Sequence, residues 1–427
     1  MRYGLLILLA AVACTAGRRA DTTLVEYADA VWWDGRALAT GSRYVRGESF
    51  VEPGGALPGR VVDLEGAFVS APFAEGHNHN LSEALFQAAN LEYLSSGVFY
   101  VKIPNAHPPS IASIRESLAR PDTVDAIFSM GGLSSPGGLV VRLFVNVLAE
   151  PIYGGATYED FAGRAFHEVS NPEQVVAALE TLEAHGADFV KATLFYAEDY
   201  AREGYDRSTA RGLDPTLLPI IVQGARERGW TTTVHVQSAE DFRTAVASGC
   251  DEIAHVPGFW WPEDRSPEDH RLTREDAILA ARSGTGVVTS TLIPKSEHGS
   301  ELAGQIREVQ RANLHTLIDS GVEIRVGSDL YDRQGTGEIA FPTRSEILNL
   351  VELGVFEPPE ALARWIDTGR AIFPQRRIAC FEPGCEASFL VFDGDPREDL
   401  STLERIRLAV KQGVRLRLRP PAGDVEP

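Results

Sequence analysis

Basic residues are in short supply in this chain of 427 residues, where 40 lysines and arginines face 60 aspartates and glutamates for a formal net charge of −20. That balance tells against a nucleic-acid partner and against an electrostatic hold on anionic lipid. Cysteine is scarce as well: Cys14, Cys250, Cys380 and Cys385. Cys250 reads as a small buried hydrophobe. Cys380 and Cys385 flank the turn sequence Phe-Glu-Pro-Gly without the two further ligands a zinc knuckle needs, which leaves a disulfide across a hairpin open to them. No apolar run is long enough to cross a bilayer as a helix. No glycine-rich phosphate turn follows the first core strand, which disfavours a doubly wound nucleotide-binding sheet. Internal repeats and low-complexity tracts are missing too.

The chain begins with a short cationic end and an apolar core from Leu5 to Ala13, the pattern of a secretory signal over residues 1–20. Two processing readings fit. Ala11-Val12-Ala13 suits ordinary cleavage, and small residues before Cys14 suit a lipobox, with Cys14 as a lipidated first residue. The protein is therefore expected outside the cytosol, periplasmic or anchored to the outer membrane, with Cys14 as its only route to a membrane.

Residues 24–70 show short β-forming runs separated by turn residues. From there the pattern becomes apolar runs alternating with helical stretches. The runs are 67–77, 97–104, 126–133, 188–194, 231–236, 252–256, 286–293 and 323–329. Helices are expected at 172–185 with Asn171 as cap, at 215–228 and at 239–248. Eight β-then-α units predict a (β/α)8 TIM-like barrel over 71–376. Strand patterns return over 377–418, so the two chain ends are expected to build one small β-sandwich from 24–70 and 377–418. Two long loops, 134–170 and 257–271, leave expected strand ends. The second carries Phe259-Trp260-Trp261 and reads as a lid or pocket wall.

Of ten histidines, four end apolar runs. His77 and His79 alternate along one strand and so point the same way; His235 and His255 close two later runs. Lys191 and Asp329 sit at two further strand ends. Barrel strand ends converge on one axis, so these six residues are expected to share a pocket. The other six histidines fall in expected helices or loops and read as solvated.

The set resembles the amidohydrolase superfamily, in its binuclear-metal members related to imidazolonepropionase and prolidase-type peptidases. The resemblance rests on His77-x-His79, Lys191, His235, His255 and Asp329 in that strand order, and on the closing stretch Glu382-Pro383-Gly384 through Asp393-Gly394-Asp395-Pro396. It implies two divalent metal ions, zinc by family habit, and a carbamate on Lys191 bridging them. One ion would take His77, His79 and Asp329, the other His235 and His255. Asp329 would be the general base for a metal-bridged hydroxide attacking a small-molecule amide or other C–N bond. Asn78, Asn80, Lys102, Tyr196 and Tyr331 lie near strand ends and are the substrate-contact candidates, with His298 and Arg333 behind them. Rival readings are a lactonase or esterase on the same site, a deaminase, and a metal-free binding or scaffold protein of this fold. Relatives that deaminate lack the strand-four lysine and carry a Glu soon after the fifth-strand histidine. Here Lys191 is present, and His235 is followed by Val236-Gln237-Ser238.

Overall fold

The computed structural model describes residues 23–118, 120–201, 211–292, 300–330 and 342–418. Cys14, His298, Tyr331, Arg333 and the signal segment lie outside the described residues. The chain is mixed α/β. One seven-stranded sheet joins its two ends in the order Val414–Arg415, Ile406–Lys411, Phe389–Phe392, Arg60–Ser70, Val25–Trp33, Leu38–Arg46, Ser49–Val51. The seam is antiparallel, with Val391 opposite Val69. The expected run at 67–77 is divided: its first residues finish a strand of this sheet, and only Phe73–Glu75 enters the parallel core. Trp32 holds the seam, with Phe381 and Phe389 edge-on at 5.1 and 5.3 Å. A buried tryptophan of this kind is worth roughly 3–5 kcal/mol against alanine. What forms here is a single mixed sheet, where the strand pattern predicted a sandwich.

The core strands are parallel and fall into two sets. One runs Ile324–Arg325, Gly286–Val288, Glu252–Ile253, Thr231–His235, Phe189–Thr193, Gly132–Ser134, Phe166–Glu168; the other Phe73–Glu75, Val98–Ile103, Asp125–Phe128. Backbone bonds cross to the larger set from both edges of the smaller one. Gly76 N donates to Val326 O at 2.8 Å, and Asp188 N donates to Phe128 O at 2.8 Å. Helices pack outside the strands: Pro172–Ala184 is capped by Asn171, whose side chain accepts from Gln174 N at 2.9 Å, and Trp365 of Pro358–Ile372 stacks on Phe73 at 3.9 Å. The terminal sheet is tied to the core through Asp125, which accepts from Lys411 at 2.6 Å and Arg376 at 2.7 Å.

Residues 134–170 are not an open loop. They hold short helices at Leu139–Arg142, Ala149–Tyr153 and Tyr158–Phe161, and a separate apolar cluster around Phe144, Phe161 and Phe166. Among the described residues, no helix is long and apolar enough to cross a membrane.

Candidate metal centre

The first and last core strands end against each other so closely that both need glycine. A Cβ on Gly76 would lie 2.7 Å from Val326 O, and one on Gly327 would lie 2.7 Å from His77 N. This contact delivers His77 and Asp329 to the same point, with Asp329 N donating to His77 O at 2.8 Å. Asp329 Oδ1 stands 3.4 Å from His77 Nε2 and 3.0 Å from His79 Nε2. His79 Nδ1 is anchored 3.0 Å from Pro104 O, which leaves Nε2 to face the site. Ligand atoms of His77, His79 and Asp329 lie within 4.8 Å of one another.

Across the mouth, His255 Nε2 and His235 Nδ1 converge at 2.8 Å. The His77 and His255 ring centres are 6.2 Å apart, so the two imidazole pairs form one cluster. Lys191 is buried on its strand and has no hydrogen-bond or ion-pair partner among the described residues. It is an electrostatic neighbour of His77, His235, His255 and Asp329. All six expected residues therefore meet.

Burial sets their charge states. It drives the His77 and His235 imidazoles well below the usual histidine range and His255 to about 3; the Asp329 carboxylate opposes the fall at His255, and Lys191 adds to it at all three. Burial also pushes the Lys191 amine down to about 7. Asp329 resists the same penalty: the hydrogen bond from His79 and nearby cationic groups hold its carboxyl below the ordinary range. The result is three imidazoles, His77, His235 and His255, held from protonation beside one firm anion, Asp329. Those are the electron-pair donors a borderline metal ion takes.

No protein-family model matches the chain, and no curated protein does. Solved structures match over nearly its whole length. A Xaa-Pro dipeptidase with bound methionine in the active site is 18% identical, at a TM-score of 0.69 with 92% of this chain and 99% of that chain covered. A prolidase complexed with N-methylphosphonate-L-proline is 19% identical at 0.69, covering 93% and 100%. The A. niger ochratoxinase is 15% identical at 0.69, covering 92% and 95%. The chain shares the fold of these proteins and of a solved amidohydrolase that is 19% identical at a TM-score of 0.68.

Within that fold, the expected substrate contacts are placed differently from the metal-ligand candidates. Lys102 points into the strand core, where its ammonium donates to Glu252 at 2.6 Å and Thr233 at 2.8 Å. It is engaged there and does not face a substrate. Asn78 is buried and braces the two end strands, donating to Ser328 Oγ at 3.1 Å and Leu330 O at 2.6 Å and accepting from Tyr93 at 2.7 Å. Asn80 donates to the same Leu330 carbonyl at 3.1 Å. Tyr196 is buried with its hydroxyl 3.1 Å from His270 Nε2 and the Arg265 guanidinium over its ring at 4.2 Å. His270 is itself fully buried and stacked on Trp261 at 4.6 Å, and His167 is buried on a short strand, so neither is the solvated residue its loop context predicted. Of the aromatic triplet, Phe259 is the residue that touches the site, edge-on to His255 at 4.6 Å.

Two buried acids escape a reading of the sequence. Glu75 accepts from His77 N at 3.1 Å, Ser328 N at 2.9 Å, Ser328 Oγ at 2.8 Å and Thr343, locking together the two turns that carry His77 and Asp329. Its burial raises the carboxyl to about 7. Asp241 accepts four backbone N–H groups, from Tyr196, Ala197, Gln237 and Ser238, and so joins the turns after the Lys191 and His235 strands. Its signal was available as the capping box Ser238-x-x-Asp241.

Proposed function

We propose that this chain is an exported, metal-dependent hydrolase that cleaves an amide or other C–N bond in a small molecule: a short peptide, an N-acyl amino acid or a cyclic amide. One observation carries the reading. Side chains from five separate strand ends meet in one buried mouth, with the His77, His235 and His255 imidazoles held from protonation and a lysine left without a hydrogen-bond or ion-pair partner among the described residues. The donor set fits metal ions: His77, His79 and Asp329 would hold one, His235 and His255 a second, and Lys191, as a carbamate, would serve both. When bound, such ions, zinc by preference of the donors, supply Lewis acidity toward a carbonyl and a hydroxide at neutral pH.

The chain's own residues supply the rest. With its pKa lowered to about 7 by burial, Lys191 presents a free lone pair at neutral pH. That nitrogen adds to the carbon of carbon dioxide and loses a proton, leaving an anionic carbamate. Asp329, held ionised, takes a proton from the attacking water and returns it to the leaving nitrogen. Glu75 and Asn78 keep His77 and Asp329 in register during the exchange, because both clamp the turns on which those residues ride. Phe259 packs edge-on against both imidazoles of the far pair.

Support for the remainder is of several kinds. The bonds crossing between the two parallel sets favour closure as one (β/α)8 barrel over 71–376, with a small β-domain from 24–70 and 377–418. The disulfide between Cys380 and Cys385 suits an oxidising compartment, in keeping with a signal over 1–20 and either cleavage or lipidation at Cys14. Solved neighbours named dipeptidase and prolidase act on bonds of the class proposed. The test is a panel of dipeptides, N-acyl amino acids, cyclic imides and lactones offered to zinc-loaded protein. Hydrolysis of at least one amide class is expected, whereas hydrolysis of lactones alone would refute the C–N reading.

A further inference from the structure

Three side-chain oxygens near Lys191 have no hydrogen-bond partner among the described residues: Asn105 Oδ1, Ser134 Oγ and Thr193 Oγ1. Their residues are 7%, 0% and 0% exposed. Strand register puts them on one face. Lys191 is the partner of Gly132, and Thr193 the partner of His235. Registered neighbours and alternate residues along a strand project to the same side. Thr193 and Ser134, each two residues beyond that Lys191–Gly132 pair, therefore stand on the lysine's side, one step nearer the mouth. Gly132 contributes no side chain, and the Asn105 carboxamide fills its place, since a Cβ at 132 would collide with Asn105 Oδ1. Asn105 also follows Pro104, the carbonyl that orients His79, and its φ of 53° is a left-handed conformation that asparagine tolerates.

The neighbouring quadrant is chemically different. Phe195 lies nearly parallel to the His235 ring at 6.4 Å, and Phe259 stands edge-on to it at 5.5 Å. Uncharged polar side chains thus stand on one side of Lys191, and aromatic rings beside His235.

We propose that Asn105, Ser134 and Thr193 bind an uncharged amide of the substrate next to the bond that is cut, while Phe195 and Phe259 cover an apolar acyl or aryl group. The proposal rests on the hydrolase reading above and narrows its substrate to amides with an apolar group on one side and a second, neutral amide on the other. Hydroxyls and a carboxamide each donate and accept. They therefore complement both the N–H and the C=O of an amide and offer a carboxylate no cation. Partnering three buried oxygens removes the penalty each carries alone.

Three probes share one scissile benzamide bond: N-benzoylglycinamide, N-benzoylglycine and N-methylbenzamide. Each is offered to the zinc-loaded full-length protein, to Thr193→Val and to Asn105→Gly, which keeps the backbone conformation at 105, and the zinc content of all three proteins is measured. In the wild type, kcat/KM for N-benzoylglycinamide should exceed that for either other probe by about tenfold or more, the effect of one to two hydrogen bonds. In each variant that preference should collapse toward unity, chiefly through KM, with zinc content unchanged. Preference for N-benzoylglycine would overturn the neutral-amide assignment. Equal losses on all probes, or a fall in zinc content, would make these residues supports of Lys191 and overturn their role in substrate binding. Turnover of none of the three by the wild type would overturn the substrate class, while the wider panel decides the hydrolase reading separately.

Discussion

The same core strands carry two buried polar clusters, and they are built to opposite rules. Toward the floor, Glu252 accepts from Lys102 at 2.6 Å and from Arg325 at 2.7 Å, with Thr233 adding a further bond at 3.0 Å. Every charge there answers another. Level with Thr233 on the same strands, Lys191 has no hydrogen-bond or ion-pair partner among the described residues, and further toward the strand ends His235 Nε2 and His255 Nδ1 are buried without one. A closed network holds strands in register, whereas a set of donors left open is suited to receive something. The contrast distinguishes a polar core that makes structure from one that makes a site, at comparable burial.

The largest effect should come from the open cluster. Lys191→Ala is expected to lower kcat/KM on any hydrolysed amide by at least about a thousandfold, the scale seen when a group of a catalytic constellation is removed. Its thermal midpoint should stay close to that of the wild type measured without metal. A large drop in stability with activity retained would reverse the assignment of the two clusters.

The closed cluster should behave the other way. Glu252→Ala leaves Lys102 and Arg325 buried without their shared anion and should cost roughly 3–5 kcal/mol in urea unfolding. The protein that remains folded should keep its zinc. Loss of zinc without loss of stability would show that the floor serves the site directly.

A smaller effect is set by pH. Burial opposes ionisation of Glu252, but Lys102 and Arg325 outweigh it and bring its carboxyl from 4.5 down to about 2. A depressed carboxylate contributes stability that is fully present above its unfolded pKa and disappears as pH falls through its folded one. The contribution, roughly 3 kcal/mol, should therefore decline between 4.5 and about 2. Urea midpoints taken at pH about 5 and about 3 should fall further for the wild type than for Glu252→Gln. Equal declines would remove Glu252 as the source.

Much of this arrangement is legible along the chain because it depends on local pattern. Strand ends announce themselves where an apolar run stops, which is why His77, His79, Lys191, His235, His255 and Asp329 can be picked out before any coordinates. Asn171 likewise marks the helix it caps. What stays hidden depends on partners far away in sequence. Lys102 looks like a pocket residue until Glu252, 150 positions on, is seen to neutralise it. Glu75 looks like any acid before a turn, and its clamp on Ser328 spans 253 positions. His270 is polar in a loop of ordinary composition, and only the Trp261 stack makes it a buried residue. Splitting the run at 67–77 between two sheets follows from pairing with Phe389–Phe392, which no local periodicity reports.

Metal content is the most direct measure of whether the open cluster is a binuclear centre. Purified protein loaded with zinc in bicarbonate buffer, then desalted, should hold about two ions per chain by mass spectrometry of the element, and Lys191→Ala should lose them. A wild type that binds none, or a Lys191→Ala variant that binds as much as the wild type, would contradict the account.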